Sequence, residues 1–183
     1  NAGGRIKEAE KDYFHLNDCN FAGAKSNMFI EQTVTQEIEI ENDGSIVKSV
    51  TIDYRNPAPP SNCNLEAGEL CLNGLYRDWV RLYVPQGSEL IEATGAEIET
   101  KVYEDLGKTV FETFYGDQAP LRPEGKKQLT FKYRLPFKLE KGDDYNLLIQ
   151  KQPGTYNPEY IVTFDRQQEE FELTTDRHLK LSR

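Results

Sequence analysis

Residues 29 to 41, FIEQTVTQEIEIE, repeat with a period of two. Ile30, Val34, Ile38 and Ile40 share one parity, and Glu31, Glu37, Glu39 and Glu41 share the other. That is the pattern of a strand with one buried and one wet face. Asn42-Asp43-Gly44 tolerates positive φ, and Ile46, Val50, Ile52 and Tyr54 return in phase, so a hairpin is predicted. Val80, Leu82 and Val84 then oppose Trp79, Arg81 and Tyr83, and ELIEATG follows after Pro85-Gln86-Gly87. A second hairpin turns at Asp105 to Gly107, and Leu129, Phe131, Tyr133 and Leu135 alternate in KKQLTFKYRL. YNLLIQKQ, EYIVTFD and EEFELTTD complete the series. Roughly ten strands without βα alternation predict a mainly β chain, an antiparallel β-sandwich of immunoglobulin-like type. The Cys–Trp–Cys framework of true immunoglobulin domains is absent, because Cys63 and Cys71 both precede Trp79.

Two stretches depart from this period. In residues 4 to 16, Ile6, Ala9, Tyr13 and Leu16 fall at helical offsets, which predicts a short N-terminal helix. Residues 55 to 75 are irregular, and Pro57, Pro59 and Pro60 bar them from a central strand. The expected organisation is a tag remnant, helical lead-in and loop over 1–28, a β-sandwich domain over 29–176 and a tail over 177–183. Asn1-Ala2 reads as the remnant of a cleaved tag, which makes the chain an excised piece whose targeting or anchoring segment lies elsewhere.

Composition narrows the function classes. The 31 acidic and 22 basic side chains leave a net charge of -9. That argues against nucleic acid and against an anionic membrane surface, since both require a basic face. No run approaches the roughly 18 apolar residues of a membrane span, so membrane association is expected only through an anchor absent from this piece. Cys63 and Cys71 lie in NCNLEAGELC, inside the irregular stretch. A disulfide there would place the chain in an oxidising compartment; two reduced cytosolic thiols are the alternative. Cys19 is left over, as a buried thiol or an intermolecular link.

Catalytic signals are sparse. His15 and His178 are the two histidines, far apart in the chain, with no nucleophile motif beside either. Cys63 and Cys71 lack a second half-site for zinc, and Asn42-Asp43-Gly44 and Gly142-Asp143-Asp144 read as turns rather than calcium loops. No Gly-rich phosphate loop is present, so no metal or cofactor is expected. With 31 acidic residues, a carboxylate pair for hydrolysis could be drawn anywhere. The distinctive cluster is Tyr76-Arg77-Asp78-Trp79 with Tyr83, whose composition is that of an interaction hot spot or a sugar platform. The alternative is that Trp79 packs under the long loop while Arg77 and Asp78 fix a turn.

GAKSN, TIDYRNPAP, LNGLYRDWVRLYVPQGSELIEATG, GKTVFETF, KKQLTFKYRLP and LLIQKQPGT occur in this order over residues 21 to 175. In that order they resemble the C-terminal part of bacterial proteins of domain-of-unknown-function family 4012. The resemblance implies an envelope protein with an N-terminal membrane anchor and an extracytoplasmic remainder, and it carries over no catalytic residue. The expected function is a non-catalytic extracytoplasmic module for adhesion, assembly or scaffolding, with an envelope protein or a cell-surface glycan as partner. A carbohydrate-binding module and a carboxylate-dependent hydrolase are the alternatives.

Overall fold

A computed structural model describes residues 4–182; the tag remnant expected at Asn1-Ala2 lies outside them. Among the described residues twelve strands form: β1 Asp12–Asn20, β2 Glu31–Ile40, β3 Ser45–Arg55, β4 Asp78–Pro85, β5 Glu89–Thr94, β6 Lys101–Asp105, β7 Lys108–Tyr115, β8 Lys126–Lys138, β9 Tyr145–Gln150, β10 Glu159–Phe164, β11 Gln167–Glu172 and β12 Arg177–Leu181. They build two six-stranded sheets, ordered β12-β9-β1-β4-β7-β6 and β11-β10-β2-β3-β8-β5. The result is mainly β and sandwich-like. Rank by rank, each strand of one sheet matches a sequence neighbour in the other, so β1 corresponds to β2, β4 to β3, β7 to β8 and β9 to β10. Core contacts follow the same ranks: Phe111 on β7 meets Tyr133 on β8, and Tyr145 on β9 stacks on Phe164 on β10.

The period-two pattern explains these strands. Val34 and Ile38 on β2, Val50 and Ile52 on β3, and Val80, Leu82 and Val84 on β4 all enter one apolar core. Each such side chain, fully buried, contributes about 1.5–3 kcal/mol. The β2–β3 hairpin turns at Asn42 to Gly44, where Gly44 has φ 85° and a Cβ would meet the Leu139 carbonyl oxygen at 2.8 Å. The β6–β7 turn places Leu106 at φ 51° and Gly107 at φ 70°, both positive as a two-residue hairpin loop demands.

Three expectations are corrected. The N-terminal helix does not form: residues 12–20 are β1, and the described residues before it are irregular. Ile6 and Ala9 do pack with Tyr13, on an outer cluster with Tyr83, Val110 and Leu148. Leu16, however, enters the sandwich core on the opposite face. Five consecutive buried residues, Asp12 to Leu16, need partners on both faces, and only a strand within a sheet provides them. The boundaries change accordingly, since β1 lies between β9 and β4 and β12 pairs with β9. Part of the supposed lead-in, Asp12–Asn20, and most of the supposed tail, Arg177–Leu181, are sandwich strands. Finally, the sheets are mixed, with β1–β9 and β2–β10 parallel. An immunoglobulin-like strand order is not shown by these sheets.

Charge also enters the core. Lys48 on β3 and Asp12 on β1 are wholly buried, with Lys48 Nζ 2.5 Å from Asp12 Oδ2. Tyr145 OH on β9 donates to the same oxygen. Burial pushes the Lys48 ammonium down, against the pull of Asp12. Removing one member of such a pair strands the other charge, at about 3–5 kcal/mol. Lys48→Met is therefore expected to destabilise by that amount in chemical denaturation, and Lys48→Met with Asp12→Asn to recover more than half of the loss. Gln36 on β2 is also fully buried, and neither its Oε1 nor its Nε2 has a hydrogen-bond partner. Gln36→Leu is expected to stabilise the fold by about 1–2 kcal/mol in the same assay, because it removes two unpaired polar atoms.

Candidate functional site

Residues 56–77 connect β3 to β4, and their polar groups fasten them. Asn56 and Asn73 are both buried; Asn56 Nδ2 donates to Asn73 Oδ1 at 2.7 Å. Asn73 Nδ2 points back at Asn56 Oδ1 and at the carbonyls of Ala58 and Pro59, at 3.2, 3.2 and 2.9 Å. The Asn73 N–H donates to Ser61 Oγ at 2.8 Å, and the Ser61 N–H donates to the Asn73 carbonyl at 2.9 Å. Inside that closure the Sγ atoms of Cys63 and Cys71 lie 2.01 Å apart, at disulfide distance. Asn64 caps a short 3-10 turn, Leu65–Ala67, by accepting the Ala67 N–H. Ser26 ties the exit, since its Oγ donates to the Leu75 carbonyl and accepts the Gly74 N–H.

A loop fastened in this way would be expected to tuck its apolar side chains inward. Leu65 and Leu70 are instead 72% and 68% exposed, and Leu72 and Leu75 are also exposed, as is Met28 in the adjacent segment. The fastened loop thus holds four leucines exposed.

A second surface lies beside it on the outer face of the first sheet. Register places Cys19, Trp79 and Phe114 in one row across β1, β4 and β7, and Asn17, Arg81 and Glu112 in the next. Exposed Phe21 extends the aromatic row, its ring centroid 6.0 Å from that of Trp79, and Trp79 lies 5.5 Å from Phe114. Arg81 Nε donates to Glu112 Oε2 at 2.7 Å, and Tyr103 OH on β6 donates to the same oxygen at 2.8 Å. Burial pushes the Glu112 carboxyl up, but the hydrogen bonds from Arg81 and Tyr103 outweigh it and leave the group below its ordinary value. Arg77 covers the Phe114 ring at 5.7 Å and pairs with Asp117. Glu97 organises that corner by accepting backbone N–H groups from Gly116, Asp117, Gln118 and Ala119. Burial works against these four bonds, yet the Glu97 pKa falls to about 2.

The five residues of the sequence-based hot spot do not share one surface. Arg77 and Trp79 are partly exposed on the outer face. Tyr76 is buried where it bridges to Leu121, and Asp78 is buried against β1. Tyr83 is covered by Ile6 and Ala9. Alternation along β4 dictates this split, because Asp78 shares the core phase with Val80 and Leu82. Phe21, Phe114, Arg81, Glu112 and Tyr103 were not predicted as site residues. They meet Trp79 or each other only through cross-strand register, which a single sequence does not encode.

Among the described residues no three His, Cys, Asp or Glu side chains gather into a metal-holding group. Asp78 is buried, and the half-buried Asp18 accepts from Tyr54 OH and Gln32 Nε2. Two surface depressions lie elsewhere, one lined by Glu37 to Ile40 with Thr163 and Asp165, the other running along Leu90 to Thr94 and Ile98. His15 is buried, which pushes its pKa down, and its Nδ1 lies 3.0 Å from the Gln150 carbonyl. No helix is long and apolar enough to cross a membrane among the described residues. No protein-family model matches the chain, and no curated protein matches it.

Thiol counting on the unfolded, unreduced chain is expected to find one free thiol, Cys19, and three after reduction. Asn73→Ala unpairs Asn56 and several loop groups, so it is expected to cost about 1–3 kcal/mol. It is also expected to open residues 57–72 to limited proteolysis while the sheets stay intact.

Proposed function

We propose that this chain is a non-catalytic, extracytoplasmic interaction module of a bacterial envelope protein, serving adhesion, assembly or scaffolding. The observation that carries this reading is the fastened loop of residues 56–77. It spends an Asn–Asn pair, a Ser26 clasp and a cysteine bridge on holding Leu65, Leu70, Leu72 and Leu75 in the open. An ordered loop loses little further entropy on binding, so exposed leucines on it favour a partner that covers them. A partner protein from the same envelope fits that chemistry best. The cysteine bridge is compatible with an oxidising compartment, and the resemblance to family 4012 points the same way.

A photo-crosslinking residue at position 70, in the full-length protein in its native cells, tests this. A discrete adduct with one envelope protein is expected, lost when Leu65 and Leu72 become Asp. A probe at Glu172, on the edge strand β11, is expected to give none. Equal adducts from both positions, or none from position 70, would overturn the reading.

A carbohydrate-binding role is the second reading, favoured by the Phe21–Trp79–Phe114 row beside the Arg81–Glu112–Tyr103 cluster. Aromatic faces with polar neighbours suit sugar rings. On a glycan array the intact chain is expected to bind no better than its Trp79→Ala variant. Binding that Trp79→Ala or Phe21→Ala abolishes would put the sugar reading first.

A further inference from the structure

Where β1 ends and β4 begins, beside the exit of the long loop, two carboxyl groups meet. Asp18 lies opposite Val80 and Asp78 opposite Asn20, so the two are diagonal neighbours on adjacent strands, and each carboxyl acts on the other's charge. Both oxygens of Asp18 already accept, Oδ1 from Tyr54 OH and Oδ2 from Gln32 Nε2, each at 2.8 Å. Asp78 is wholly buried; its Oδ1 accepts the Cys19 N–H at 2.9 Å, and its Oδ2 is left without a partner.

Among the described residues no cation forms an ion pair with either carboxyl. The groups around it are neutral: Gln32 from β2, Tyr54 from β3, Tyr76 just before β4, Tyr115 from β7 and Tyr160 from β10. Lys127 on β8 is engaged over the Tyr115 ring, 5.3 Å from its centroid. His15 stands on the other face of β1, beside Tyr83 and the Gln150 carbonyl. Two carboxylates in such surroundings cannot both be charged.

We propose that Asp18 and Asp78 hold one proton between them at neutral pH, carried on Asp78 Oδ2 and donated to the Asp18 carboxylate. This shared proton is the joint that keeps the loop's exit against β1. It turns the orphaned Asp78 oxygen into a donor and leaves every other bond of the cluster as it stands. Burial, with the neighbouring carboxyl second, pushes Asp78 well above its ordinary value, and burial also raises Asp18 against its bonds from Gln32 and Tyr54. The same corner holds the Phe21 N–H on the Arg77 carbonyl at 2.8 Å, so two adjacent charges there would part β1 from the start of β4. The joint is independent of what the loop binds.

The sign follows from linkage. An acid whose value is raised by folding keeps its proton more tightly in the folded chain, so its stabilisation is complete near the unfolded value, about pH 4, and is lost as pH rises. Asp78→Asn replaces the shared proton with an amide N–H that cannot dissociate. Thermal unfolding of the chain and of Asp78→Asn, at about pH 5, 7 and 9, reads the difference and cancels the titrating groups outside the Asp18–Asp78 pair. The melting temperature of the variant is expected to gain on the wild type by about 3–5 °C per pH unit within the titration window. A gap that stays constant with pH would overturn the proposal. Carbon-13 NMR of the aspartate carboxyls in the wild type gives a second test that needs no variant. One of the two is expected to be protonated at neutral pH, and both titrating in the ordinary carboxylate range would equally overturn it.

Discussion

Lys48 and Asp12 hold the two sheets face to face. The lysine comes from β3 in one sheet, the aspartate from β1 in the other, and Tyr145 from β9 completes the set. A purely apolar interface between sheets tolerates sliding, because one aliphatic contact replaces another. A buried charge does not. Moving either sheet by one residue would bare an ion to the core, at several kcal/mol. The pair thereby fixes which ranks of strands face each other. Phe14 packs beside it, its ring centroid 5.4 Å from the lysine nitrogen.

From that anchor the architecture divides into two unequal parts. Strands β1 to β8 form antiparallel ladders four wide in each sheet, and β9 to β12 extend both sheets. The junction is made twice, by the parallel pairs β1–β9 and β2–β10. Asp12 sits on that seam, since β1 is its carrier and Tyr145 its partner from β9. One buried carboxylate thus joins the two sheets and the two parts.

The two candidate surfaces grow at the opposite end of β1 and around β4. The fastened loop and the aromatic row are adjacent because Asp78 and Trp79 follow the loop directly and alternate inward and outward. Inward, Asp78 accepts the Cys19 N–H of β1; outward, Trp79 meets Phe21 and Phe114. Loop order, the outer aromatic face and the Asp18–Asp78 pair therefore share one short stretch of backbone.

The sequence by itself determined the class. The alternation in residues 29–41 and 46–54, and turn chemistry at Gly44 and Gly107, are local properties, and local sterics suffice to read strands and hairpins from them. The nearness of Cys63 and Cys71 followed from their spacing. Lys48 in phase with Val50 and Ile52 was also visible, although nothing local could say that Asp12, far back in the chain, would meet it. Only the tertiary structure decided the rest. Ile6, Ala9 and Tyr13 mimic a helix because an irregular segment lies over the outer face of a strand, and burial on that face has no fixed period. The parallel pairings, the row linking Trp79 to Phe114 and the meeting of Asp18 with Asp78 are products of strand order and register. Those arise from which nonlocal ladders leave no charge and no backbone group bare, a condition satisfied by the whole chain and by no segment of it.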